Sequence, residues 1–167
     1  NLRKCLAIAS LILLSLLSQN AFAQGTSDQE LARHYYQNGD FEKALLYYEK
    51  LYDKNTRSNY YFQYYLDCLV KTDDFKRAEK IAKKTIKSTP DNLSLYINLA
   101  NVYVAEGNVI DADKTYQEGL KKISKDISYN QINNLGNSLI NANQLDYALE
   151  AYRKGKKIYP TRPEFEY

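Results

Sequence analysis

The chain has 167 residues and a formal net charge of +3 spread over 23 basic and 20 acidic side chains, a size for one domain or a few stacked units and a balance that implies no nucleic-acid partner. Its 17 Tyr and 44% hydrophobic residues argue against a disordered chain. A single His leaves any zinc site or Ser-His-Asp arrangement incomplete, and no glycine-rich phosphate loop is present, so no enzyme, cofactor or metal is expected.

In chain order, the first element is a leader. Arg3 and Lys4, the apolar run from Leu6 to Leu17, and the small residues Ala21 and Ala23 read as a signal peptide over residues 1–23, cleaved before Gln24. A membrane span needs roughly 20 apolar residues, and Ser18, Gln19 and Asn20 interrupt this run too early, so no membrane insertion is expected after leader cleavage. Cys5 precedes the run, whereas a lipidated Cys would follow it. Cleavage removes Arg3 and Lys4 and no acid, which leaves a net charge of +1 and Cys68 with no intrachain disulfide partner. An exported chain without disulfides points to a bacterial periplasm, or to secretion. The chain opens on Asn rather than Met, and residues 161–167 read as the start of a truncated further helix, so it is expected to be an N-terminal fragment of a longer protein.

The rest has a period. Ala44, Ala78, Ala112 and Ala148 are separated by 34, 34 and 36 residues. Three further apolar series keep that register: Leu31, Tyr65, Leu99 and Leu135; Tyr35, Leu69, Tyr103 and Leu139; Phe41, Phe75, Val109 and Leu145. The two extra residues fall between Ala112 and Ala148, at Ser124 to Ser128. Within each unit the apolar residues recur at three and four, a helical spacing, so each unit is a helix pair. The pairs break at Gly39, Asp73, Gly107 and Asn143, residue types that tolerate positive φ after a helix, while Pro90 and Pro160 end units. The units are bounded at about 25–58, 59–92, 93–128 and 129–162.

These residues resemble a tetratricopeptide repeat protein. The likeness is carried by Tyr96, Leu99, Ala100, Tyr103, Gly107, Ala112 and Tyr116, again by Leu135, Gly136, Leu145, Ala148, Tyr152 and Pro160, and in the first unit by Tyr35, Gly39, Phe41, Ala44 and Tyr48. The second unit departs from it, with Leu66 where the others have Ala32, Ala100 and Gly136, and Ala82 where they have Tyr48, Tyr116 and Tyr152. The resemblance implies an all-α, right-handed superhelical solenoid of four helix-turn-helix repeats over residues 24–160. It also implies a non-enzymatic scaffold or adaptor that holds a protein or peptide segment in a concave groove lined by each repeat's first helix.

The groove candidates are Tyr60, Gln63, Tyr64 and Asp67 in the second repeat, Asn98 and Asn101 in the third, and Asn130, Asn134, Asn137 and Asn141 in the fourth, with Gln29, Arg33 and Tyr36 before them. The last four Asn fall at i, i+4, i+7 and i+11, one stripe of a helix. Asn lowers helix propensity by up to about 0.7 kcal/mol relative to Ala, and its amide both donates and accepts, which suits gripping an extended backbone. Asn98, Asn101, Asn134 and Asn137 also coincide with the family's ordinary pattern, where they can serve packing. Some members of the family clamp carboxylates with several Lys and Arg here, but the matching residues in this chain are largely Gln, Tyr, Asp, Ser and Asn. An alternative is an exported sensory or input module whose output domain lies beyond Tyr167.

The charged features have ordinary readings. Lys76, Arg77, Lys80, Lys83, Lys84 and Lys87 form a solvated face whose stems cover apolar surface, or a surface for an anionic partner. Lys121, Lys122, Lys125, Lys154, Lys156 and Lys157 lie at helix ends, where cations favour the dipole. Asp73 and Asp74 mark a helix break, and His34 is a ring on the first helix.

Overall fold

A computed structural model of the chain describes residues 27–165; the expected leader lies outside the described residues. Among the described residues eight helices follow one another: α1 (Asp28–Gln37), α2 (Phe41–Lys54), α3 (Asn59–Lys71), α4 (Phe75–Ser88), α5 (Ser94–Glu106), α6 (Val109–Lys121), α7 (Tyr129–Asn141) and α8 (Leu145–Ile158). A single 3-10 turn, Pro163–Phe165, comes last among the described residues. Among the described residues there is no strand, and no helix is long and apolar enough to cross a membrane.

The turns explain why the helices break where the sequence predicts. Gly39, Asp73, Gly107 and Asn143 have φ of 75°, 57°, 83° and 57°. The amide after each reaches back across the last helical turn: Asp40 to the Tyr35 carbonyl at 2.9 Å, and Asp74 to Leu69, Asn108 to Tyr103 and Gln144 to Leu139 at 2.8 Å each. This closure satisfies orphan carbonyls at the helix end and needs a left-handed residue at its centre. The next residue starts the second helix of the pair. Asp40, Asp74 and Asn108 accept at their side chains from the amides of Lys43, Arg77 and Asp111, whereas Gln144 makes no such bond. The first helices α1 and α7 start on capping boxes, Ser27 with Glu30 and Ser128 with Gln131.

Two compact units divide within α3, the first ending at Cys68 and the second beginning at Leu69. In the first, Ala32, Ala44, Tyr48, Leu51, Tyr52, Phe62, Tyr65, Leu66 and Cys68 are buried. The Tyr52 ring lies 6.1 Å from Phe62 and 5.6 Å from Tyr65, and the Tyr65 hydroxyl donates to Glu49 at 3.0 Å. Asp28, at the start of α1, takes both Lys50 and Lys54 of α2.

In the second unit α5 packs against α4, α6 and α7, and α6 against α8. Seven residues of α5 are buried, from Leu95 to Tyr103, so this helix is the centre of the unit. Each buried Leu or Ile here contributes roughly 1.5–3 kcal/mol. The connection from α6 to α7, residues 122–128, is two residues longer than that from α4 to α5, residues 89–93, and it folds inward. Ile127 is buried and its carbonyl accepts from the Tyr159 hydroxyl at 2.8 Å. Phe165 is buried at the far end, its ring 6.1 Å from Tyr152.

All four Ala of the periodic series are buried. The fourth apolar series is not uniform: Phe41 and Phe75 are half-buried, but Val109 and Leu145 are 70% and 60% exposed. All four sit first in their helices, and the larger Phe rings reach further inward than the Val and Leu side chains do. Leu66 and Ala82, the inverted pair of the second repeat, are both buried.

Candidate functional site

Two helix faces carry the residues singled out from the sequence, one in each unit.

In the first unit the face lies on α3, with α1 beside it. Tyr60 and Gln63 are exposed, Tyr64 and Asp67 half-buried. The Tyr64 ring stacks on buried Tyr48 with centroids 4.9 Å apart and planes 12° apart. Tyr36 of α1 meets the same Tyr64 ring edge-on at 4.8 Å, and Tyr60 meets it at 4.8 Å from one helical turn before. Such offset and edge-to-face contacts are the favoured aromatic arrangements. The Tyr36 hydroxyl donates to Asp67 Oδ2 at 2.6 Å. Burial, then the hydrogen bond to that carboxylate, hold the Tyr36 hydroxyl well above the usual tyrosine range, so it stays a donor. Tyr61 is turned to Gln29, its hydroxyl 3.0 Å from the amide oxygen.

In the second unit the face spans α5 and α7. Asn101, Asn130, Asn134, Asn137 and Asn141 are exposed and Asn98 is half-buried. Two of them tie the helices of a repeat together, since the Tyr116 hydroxyl donates to Asn101 Oδ1 at 3.0 Å and the Tyr152 hydroxyl to Asn137 Oδ1 at 2.8 Å. The pairs are equivalent, one repeat apart, and among the described residues each leaves the amide N–H donors uncommitted. Among the described residues the side chains of Asn130, Asn134 and Asn141 make no hydrogen bond, while the Asn98 amide nitrogen is buried without a partner. Ser138 links α7 to α5, its hydroxyl 3.4 Å from that of Ser94.

Val104 and Ile140, not picked out from the sequence, belong to this face. They lie three residues after Asn101 and Asn137 and are 45% and 43% exposed. Their signal was present: two large apolar residues at equivalent positions in consecutive repeats.

The remaining candidates are ordinary. Asp74 caps α4 and pairs with Arg77, and Asp73 is the turn residue. His34 is exposed, 3.1 Å from the Asn38 amide. On α4, Lys83 pairs with Glu79, which also accepts from Tyr103. Among the described residues no group of three or more His, Cys, Asp and Glu is placed to hold a metal. Cys68 is fully buried, and burial pushes its thiol up to about 12.

The sequence model of the tetratricopeptide repeat family matches residues 30–66. Within residues 30–66 the chain carries a tetratricopeptide repeat. A TPR repeat-containing protein, YpiA of Bacillus subtilis (strain 168), is 36% identical over 93 residues, which is 56% of this chain. The chain spans about a fifth of that relative, 22% of its length. Among solved structures, residues 41 to the end of MamA from Desulfovibrio magneticus RS-1 align at 15% identity over 96% of this chain and 92% of that one, with a TM-score of 0.46. TTC0263, a thermophilic TPR protein of Thermus thermophilus, aligns at 17% identity over 91% and 84%, with a TM-score of 0.48. Among the described residues α1 packs on α2 in the first unit, and α5 on α6 and α7 on α8 in the second, each as a helix pair.

Proposed function

We propose that this tetratricopeptide repeat chain is an exported, periplasmic scaffold that holds an extended segment of a partner protein on the first helices of its repeats. One observation carries the reading: exposed Asn side chains along α7 and at Asn101 of α5, with amide N–H donors not used among the described residues, lie beside exposed Val104 and Ile140. Amide groups that donate and accept match the backbone of an extended chain, and the two aliphatic residues supply apolar surface for its side chains. Asn130, Asn134 and Asn141 make no bond among the described residues, which a purely packing role would require. The leader pattern at residues 1–23 supports export.

The test is the triple substitution Asn134→Ala, Asn137→Ala and Asn141→Ala, followed by capture of the partner. Loss of capture by a folded variant supports the reading; undiminished capture removes this face from it.

A further inference from the structure

The α3 face of the first unit differs in chemistry from the asparagine face. It has four tyrosine rings in mutual contact and one carboxylate. Asp67 is oriented by Tyr36, which occupies Oδ2 at 2.6 Å. Oδ1 takes no hydrogen bond among the described residues, and Arg33, one turn before Tyr36, makes no ion pair with this carboxylate. The carboxylate is therefore positioned, with Oδ1 left open among the described residues. Above it on the same face, Tyr64 is held from behind by Tyr48 and from the side by Tyr36, and exposed Tyr60 extends the platform by another turn. Exposed Gln63 lies about 6 Å along the helix from Asp67.

We infer that Tyr60, Tyr64 and Asp67, braced by Tyr36 and Tyr48, form a recognition site for a Lys or Arg side chain of the bound segment. The charged head meets Asp67 Oδ1, the aliphatic stem lies along the exposed part of Tyr64, and the segment's backbone passes Gln63 and Tyr60. Aromatic faces attract a cation and pack against its stem, and the carboxylate adds a charge-assisted hydrogen bond. An acidic side chain in the same place would meet a like-charged carboxylate and be rejected. Because Tyr36 stays a donor, it keeps Asp67 aimed and cannot itself compete as a base. The site rests on the segment-holding reading and gives it a sign: the segment is basic where it crosses α3.

The probes are short peptides of Gly, Ser and Ala with Lys, Arg, Gln or Glu at the centre, titrated into the isotope-labelled chain while amide resonances are followed. The Lys and Arg peptides are expected to shift residues 60–67 and to bind about tenfold more tightly than the Gln peptide, the factor that corresponds to one hydrogen bond to a charged group. The Glu peptide should bind least. Asp67→Asn should bring the Lys peptide to the affinity of the Gln peptide, and Gln63→Glu, at an exposed position, should tighten the Lys and Arg peptides but not the Gln peptide. Equal binding of the Lys and Gln peptides, or a Lys peptide indifferent to both substitutions, overturns the cation site and leaves the segment-holding reading in place. Failure of every peptide to bind overturns both.

Discussion

Replacing Gly136 by Leu places a Cβ where the Tyr152 ring lies: the added atom would sit 2.4 Å from Cζ, 2.6 Å from Cε1 and 2.8 Å from the hydroxyl oxygen. Tyr152 is 3% exposed and its hydroxyl is bonded to Asn137, so the ring cannot step aside into solvent. Overpacking of this kind costs about 1–3 kcal/mol, and the lost hydrogen bond about another 1 kcal/mol, so the single variant should lose about 3 kcal/mol. Tyr152→Ala leaves a cavity and should lose about 4 kcal/mol. The second repeat carries the opposite pair, Leu66 and Ala82, both buried. The double variant copies that inversion, so the new Leu should fill the space the ring vacates and its stability should match or exceed that of Tyr152→Ala alone. Urea unfolding followed by circular dichroism at the four corners of this cycle measures the coupling, expected at about 3 kcal/mol in favour of the pair. If the two losses simply add, to about 7 kcal/mol, the small-large complementarity between the two helices of a repeat is wrong.

Three other outcomes follow from named groups. Gly107→Ala should cost about 1–2 kcal/mol through φ alone, since nothing lies within 4 Å of the added carbon, and Asn143→Gly should gain up to about that much; thermal melts compare them. In a Cys5→Ser background, Cys68 should stay unreactive to a thiol reagent at pH 8 and become labelled only as urea unfolds the chain, because burial pushes the thiol up from 9.0 to about 12. Tyr147 is pushed from 10.0 up to about 12, first by donating to Asp113 and then by burial. A pKa raised on folding contributes stability that is complete below pH 10 and is lost as pH climbs to about 12, so Tyr147→Phe should flatten the alkaline limb of the stability curve.

The helix pairs were legible in the sequence because their turns demand particular residues. A closure that needs positive φ accepts Gly, Asn or Asp, and the four positions that break the period are the four that adopt it. The buried Ala series was legible for a similar reason, since close helix approach admits little else. Periodicity reports equivalence rather than depth, however, and so Val109 and Leu145 share a register with half-buried Phe41 and Phe75 while standing in solvent. On the candidate faces, the stripe of Asn was readable from helical spacing. That Asn101 and Asn137 are tied to Tyr116 and Tyr152 was not, because their partners come from the next helix. The orientation of Asp67 by Tyr36, across 31 residues, has no local signature at all.

The central claim, that a partner segment lies on the first helices, is tested most directly by photo-crosslinking in cells that export the chain. A benzophenone side chain is placed at Asn134 on α7 in one variant and at Lys156, exposed on α8, in another. The account predicts a defined partner adduct from Asn134 and none from Lys156. An adduct from Lys156 with none from Asn134 would contradict it.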